Sequence, residues 1–266
     1  MLSISADKIN VEFPIYDSYM RSLRHQFGLG KVARSLNKML YKAHSVGGNI
    51  STESSGRTKI TALNGVSFEV KEGDRVGILG HNGSGKTTLL RTIAGIYEPT
   101  DGLLSVKGRI TPLFDIQFGM ESDATGLENI ELRGRMLDLS PEQIEEAIEE
   151  VIEFTELGNY LHMPIRTYST GMMVRLAFGV STAIKPEILV LDEMIGAGDE
   201  AFFERAQERL SLFIENTGIL IIASHSTAML RQWCNKGMLL QHGNLLAYGP
   251  IEEVIGRYEN GEGTMG

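Results

Sequence analysis

The octet GHNGSGKT at residues 80–87 sits between the apolar run Val76-Gly77-Ile78-Leu79 and the helical pattern Thr88-Leu89-Leu90-Arg91-Thr92-Ile93. It matches G-x-x-x-x-G-K-[ST], and a strand before it and a helix after it are the flanks that its chemistry requires. Glycines at 80, 83 and 85 let the backbone turn its N–H groups inward around an anion. The helix starting near Lys86 aims the positive end of its dipole at the same point. His81, Asn82, Ser84 and Thr88 complete the loop; Lys86 is placed to reach the β- and γ-phosphates and the Thr87 hydroxyl to ligate Mg²⁺. An ordinary glycine-rich turn is the competing reading, and it leaves the flanks to coincidence.

Two more apolar runs carry polar tips. KPEILVLDE, residues 185–193, ends in two carboxylates, the pattern of a strand buried on both faces of a parallel sheet. Its tip is expected beside the phosphate loop, where an open α/β sheet binds ligand. Asp192 is then the candidate for Mg²⁺ and Glu193 for polarising an attacking water. GILIIASHS, residues 218–226, repeats the design and ends in His225. On a strand next to the phosphate-loop strand this histidine contacts a γ-phosphate; alone, it reads as a surface or capping residue.

Roughly residues 121–172 have a different character. Ser140-Pro141-Glu142-Gln143 predicts a helix start with an N-cap, a proline at the first helical position and a capping-box glutamine. Ile144, Ala147, Ile148, Val151 and Ile152 follow at helical spacing, with Gly158 as the expected stop. That stripe reads as core, and Glu145, Glu146, Glu149 and Glu150 read as a solvated face. The segment closes in YSTGMMVRLAFGVSTAI, where a Ser/Thr/Gly turn opens another apolar helix and supplies a second anion-binding helix start.

Composition narrows the class. At 42% hydrophobic and 22% charged, the 266 residues make an ordinary globular protein. A net charge of −9 argues against a nucleic-acid-binding surface spread over the whole protein. The lone Cys234 excludes a disulfide within the chain and points to a reducing cytosol. No apolar run approaches the ~20 residues of a membrane helix, and MLSISADKINVEF lacks the basic and apolar regions of a signal peptide.

Two phosphate-binding helix starts in one chain make sense when two chains meet. On these motifs, over about residues 60–256, the sequence resembles the nucleotide-binding subunits of ABC transporters. The resemblance implies a P-loop NTPase of α/β fold with a RecA-like parallel core sheet, a small antiparallel β part and a helical subdomain. It implies a homodimer in which the P-loop of one subunit and the signature turn of the other enclose each ATP. By the same resemblance, Ser169, Thr170 and Gly171 form the signature turn, Asp192-Glu193 the strand end, Gly196 to Asp199 the D-loop, and His225 the switch histidine. Gln117, in LFDIQFGME, is the nearby candidate for the Q-loop and its Mg²⁺ contact, a role that a one-residue shift in alignment removes. Phe13, with Tyr16 behind it, matches the family's adenine-stacking aromatic; packing within the first strand accounts for Phe13 equally well. Catalysis would fall to Glu193, His225 and Lys86.

Departures from the common pattern narrow the resemblance further. The usual L-S-G-G-Q is Tyr168-Ser169-Thr170-Gly171-Met172, and the proline usual after the catalytic glutamate is Met194. A tyrosine-led turn of this kind is similar to the branch that exports cell-surface polysaccharides, including O-antigen and teichoic acid. This implies multi-spanning permease subunits, two copies, as partners, a lipid-linked polysaccharide as cargo, no nucleic acid, and a peripheral location on the cytoplasmic face of the bacterial inner membrane. Export of another cargo such as lipid or drug, or a soluble non-transport ATPase, is the alternative. Some members carry a C-terminal carbohydrate-binding domain; this sequence ends at Gly266, so either it recognises no glycan itself or that domain lies beyond it.

The expected organisation is one ATPase domain. Residues 1–59 hold a first strand and a spacer, 60–120 and 173–256 the α/β core, 121–172 the helical subdomain and 257–266 a tail. The spacer, 17–59, interleaves Arg21, Arg24, Lys31, Arg34, Lys38 and Lys42 with Leu23, Phe27, Leu36, Met39 and Leu40. It reads either as a surface lying along an anionic membrane or its embedded partner, or as a solvated basic helix followed by the flexible SVGGNISTESSG.

Overall fold

The computed structural model describes residues 1–15, 49–52, 58–114, 119–137, 139–192 and 200–262. Its contacts divide into two compact units, residues 1–108 with 221–266, and residues 109–220.

In the first unit, strands β1 (Ser3–Ile15), β2 (Asn49–Thr52), β3 (Thr58–Lys71) and β5 (Asp101–Lys107) form an antiparallel sheet of order β2-β3-β1-β5. The alternation of β3 is that of a half-buried strand: Val66, Phe68 and Val70 are buried while Ser67, Glu69 and Lys71 face solvent. In β1 the buried positions change phase, from Ile4 and Ala6 to Ile9 and Val11. A bulge at Lys8, whose φ is 48°, resets the register so that both pairs reach the core.

The same unit holds β4 (Arg75–Leu79), helix α1 (Lys86–Ile93), β8 (Ile219–Ala223) from Ile221 onward, α6 (Thr227–Trp233), β9 (Lys236–Gln241), β10 (Asn244–Pro250) and α7 (Ile251–Glu259). Strand order is β10-β9-β4-β8, with β4 parallel to β9 and β9 antiparallel to β10. Residues 76–79 and 219–223 are buried throughout, so neither strand has a solvated face. Full burial of each leucine or isoleucine contributes about 1.5–3 kcal/mol, which is what holds these unbroken apolar runs inside.

The second unit contains β6 (Ile110–Pro112) paired parallel to β7 (Ile188–Asp192), and helices α2 (Gly126–Met136), α3 (Pro141–Thr155), α4 (Thr170–Thr182) and α5 (Glu200–Glu215). Ile130, Ala147, Val151, Leu157, Leu161, Ile165, Leu176 and Val180 form the core shared by α2, α3, α4 and the turns between them. Helix α3 starts as expected: Ser140 caps Gln143 N–H and Gln143 returns the bond to Ser140 N–H. It ends earlier than expected, with Glu156 in the left-handed conformation at φ 53°, while Gly158 opens a 3₁₀ turn over Gly158–His162. An αL glutamate is uncommon, and here its carboxylate accepts from both terminal nitrogens of Arg205 at 2.7 and 3.0 Å.

Candidate nucleotide-binding site

The loop between β4 and α1 is held from three sides. Gly80 has φ 151°, and a Cβ there would run into the Leu240 carbonyl and lie 2.5 Å from Ser84 Oγ. Gly85, at φ 108°, is the N-cap of α1, and its Cβ would lie 2.8 Å from the Ala62 carbonyl. The β9–β10 turn closes the third side: Gly243 N–H donates to Ser84 O at 2.9 Å, and Asn64 N–H donates to Gly243 O at 2.9 Å. Only glycine satisfies both the positive φ and the close backbone approach.

What the loop offers is positive. Gly85 gives α1 no side-chain cap and its first turn has no acid, so the positive end of the helix dipole meets the loop uncompensated by either. Lys86 is buried, its ammonium donating to Gly80 O at 2.7 Å and His81 O at 3.1 Å. Ser84 Oγ is buried with no hydrogen-bond partner among the described residues. The ring of His81, which bonds the Asn82 carbonyl through Nδ1 at 2.6 Å, lies 4.8 Å from that of His242 between centroids. Asn82, Gly83 and Thr87 are exposed at the rim and Thr88 is half-buried. A concave loop of this kind binds phosphate oxygens.

Strand β8 neighbours β4, and its end is tied there by Ser224 N–H to Ile78 O at 3.4 Å. His225 follows, exposed, between that anchor and the Ser226 N-cap of α6. His225 therefore lies just past the end of the strand that neighbours the phosphate-loop strand. Phe13 packs edge-to-face on Tyr97 at 5.2 Å, and Arg91 Nη1 donates to the Tyr97 hydroxyl at 3.1 Å.

In the second unit, Asp192 ends β7 at the tip of four buried apolar residues. Ser169 is the N-cap of α4, its hydroxyl accepting from Met172 N–H at 3.3 Å, so one donor of that helix start is already used locally. Ser169 and Thr170 are exposed, and among the described residues a Cβ on Gly171 would meet nothing within 4 Å. Glu193, Asp199, Gln117 and Tyr16 lie outside the described residues. The sequence reading does not anticipate the parts played by His242 and Gly243, nor an aromatic cluster of Phe154, Phe178 and Phe202. Arg175 stacks at 4.9 Å on the Phe202 ring and Arg209 at 4.4 Å on that of Phe154. The glycine-bearing HGN at 242–244 is the one local signal for the turn, and nothing local marks the stacks.

A family model described as ABC transporter matches residues 63–196, from β3 past the end of β7. The chain belongs to the ABC transporter family. It is 40% identical over 243 residues to the O-antigen export system ATP-binding protein RfbE of Yersinia enterocolitica, covering 91% of this chain and 96% of that one. It is 41% identical over 198 residues to the teichoic acids export ATP-binding protein TagH of Bacillus anthracis, covering 74% of this chain but 36% of the relative. The O-antigen export system ATP-binding protein RfbB of Myxococcus xanthus is 38% identical, with 75% and 46% covered. The chain thus spans nearly all of one such relative and less than half the length of the other two. Among solved structures, a dimeric post-hydrolysis state of the ATP-binding cassette MJ0796 bound to ADP and Pi superposes with a TM-score of 0.63 at 19% identity, over 93% of this chain and 98% of that one. The expected ABC ATPase fold, α/β with parallel strands, an antiparallel sheet and a helical part, is the fold observed.

Proposed function

We propose that this chain is the ATP-hydrolysing subunit of an ABC transporter that exports lipid-linked cell-surface polysaccharide, working as a homodimer on the cytoplasmic face of the inner membrane with two multi-spanning permease subunits. The observation that carries the cargo assignment is the nearly end-to-end relation to an O-antigen export protein, together with the tyrosine-led turn at 168–172. The nucleotide assignment rests on the loop at 80–87, whose buried ammonium, unpartnered Ser84 hydroxyl and uncapped helix start fit a phosphate chain.

In this reading Lys86 neutralises charge developing on the β- and γ-phosphates. Thr87 and Asp192, with Gln117, would hold Mg²⁺; a hydroxyl, an amide oxygen and a carboxylate are the hard oxygen donors that ion takes, and it would screen the phosphate charge. Glu193 orients or deprotonates the attacking water and His225 contacts the γ-phosphate. Phe13 and Tyr16 meet the adenine. Ser169, Thr170, Gly171 and Asp199 face the nucleotide held by the partner, so that binding closes the dimer and hydrolysis reopens it.

Purification of the full chain from detergent-solubilised membranes tests the assignment. A co-purifying multi-spanning protein, with ATPase activity that rises when lipid-linked glycan is supplied, is the expected result. Stimulation by a lipid or drug instead reassigns the cargo, and co-purifying nucleic acid with no membrane partner overturns export.

A further inference from the structure

The signature turn has an anchor that the common leucine cannot provide. The Tyr168 hydroxyl donates to the Tyr160 carbonyl at 2.7 Å, in the 3₁₀ turn that follows α3. Burial pushes the phenol above its ordinary range, so it stays a protonated donor at neutral pH. The ring reaches this position because residue 126, the first of α2, has no side chain. A Cβ there would lie 2.6 Å from the Tyr168 hydroxyl, 2.9 Å from Leu161 Cδ2 and 3.1 Å from Leu161 Cα.

The surrounding backbone makes this anchor stiff. Ile165 N–H donates to Ala124 O and Arg166 N–H to Ser122 O, both at 3.0 Å, and Thr125 bridges Pro164. The Arg166 guanidinium pairs with Asp123. Asn129, buried in the first turn of α2, donates to Glu121 O at 3.1 Å and Thr125 O at 2.9 Å. The 3₁₀ turn Ile165–Thr167 follows the backbone ladder, and Tyr168 is the last residue before the Ser169 N-cap of the exposed turn.

We infer that Tyr168 is a positioning residue for the Ser169–Gly171 turn, with its hydroxyl bond to Tyr160 and the bare Gly126 setting the direction in which that turn faces a second copy of the chain. This rests on the reading that the turn contacts the partner's nucleotide. Tyr168→Phe removes one hydrogen bond and keeps the ring, so the turn gains freedom that dimer closure must remove.

The test uses the full-length chain in a Glu193→Gln background, following dimer formation by size-exclusion chromatography against Mg-ATP concentration, alongside nucleotide affinity at protein concentrations where the chain is monomeric. With Tyr168→Phe, the ATP needed for half-maximal dimer should rise about 2- to 10-fold, as loss of one hydrogen bond predicts, with monomer affinity unchanged. Gly126→Ala should raise it further, and adding Tyr168→Phe to Gly126→Ala should bring it back toward the Tyr168→Phe value, because the hydroxyl nearest the new methyl is gone. Tyr168→Phe that lowers the melting temperature without moving the ATP requirement overturns the inference. Gly171→Asp serves as the control: dimerisation like that of the unsubstituted background would instead overturn the trans role of the turn itself.

Discussion

Gly80→Ala puts the geometry of the phosphate loop to a quantitative test. The backbone at φ 151° is open to glycine and strained for an L side chain, at about 1–3 kcal/mol. The methyl also collides with the Leu240 carbonyl and with Ser84, whose Cβ would be 3.0 Å away, and overpacking of this kind costs about 1–3 kcal/mol. Together the penalty is about 2–6 kcal/mol. If β9 yields, folding stability takes it, and at about 2–4 °C per kcal/mol the melting temperature falls by at least ~4 °C. If the loop yields, nucleotide affinity takes it and drops by at least about 30-fold. Calorimetric melting with and without Mg-ATP, combined with titration of nucleotide, reads both. A variant that melts within about 1 °C of wild type and binds ATP within about threefold would show that position 80 tolerates a Cβ, since the two outcomes together account for the whole penalty.

Gly171→Asp should melt like wild type, because a Cβ there meets none of the described residues within 4 Å, yet lose ATP-dependent dimerisation through repulsion of the partner's γ-phosphate; equal loss of monomer nucleotide binding would place the turn in cis. Replacing Arg21, Arg24 and Lys31 by Glu should lower polysaccharide export at normal protein abundance while leaving ATP binding intact, if residues 17–59 meet a membrane surface; unchanged export favours the solvated-helix reading. Cys234 is buried and its thiol is pushed up to about 12, with Arg75 only partly opposing. The folded state favours the neutral thiol, so the stability contributed is present below the unfolded value of 9.0 and is lost as pH rises toward about 12. Iodoacetamide at about pH 8 should therefore modify the denatured chain quickly and the native chain hardly at all. Equal rates would contradict the burial.

What can be read in this sequence is what is encoded locally. The octet at 80–87, the runs ending at Asp192 and His225, and the capping box at Ser140 each carry their chemistry within a few residues, and the structure forms strand, loop or helix there. The helix before Gly158 ends two residues early, at Glu156, whose left-handed backbone the residue type does not announce and whose carboxylate pairs with Arg205, 49 positions away. Tyr168 likewise stands out as a departure from the common motif, but its partner Gly126 is identified only by packing. The floor of the phosphate loop comes from Ala62, Leu240 and Gly243, whose backbones are brought there by sheet pairing, so no local pattern predicts them. The Phe154, Phe178 and Phe202 cluster is of the same kind, an assembly of helices far apart in sequence.

In the proposed function two copies of this chain enclose ATP and Glu193 commits it to hydrolysis. Glu193→Gln keeps the size and hydrogen-bonding reach but loses the basicity. Size-exclusion chromatography of this variant with Mg-ATP, run beside a phosphate-release assay, is the direct measurement. Turnover at least about a hundredfold below wild type, with an ATP-bound dimer accumulating, is the expected result. A variant that hydrolyses ATP near the wild-type rate and stays monomeric would contradict both the catalytic assignment and the two-copy site.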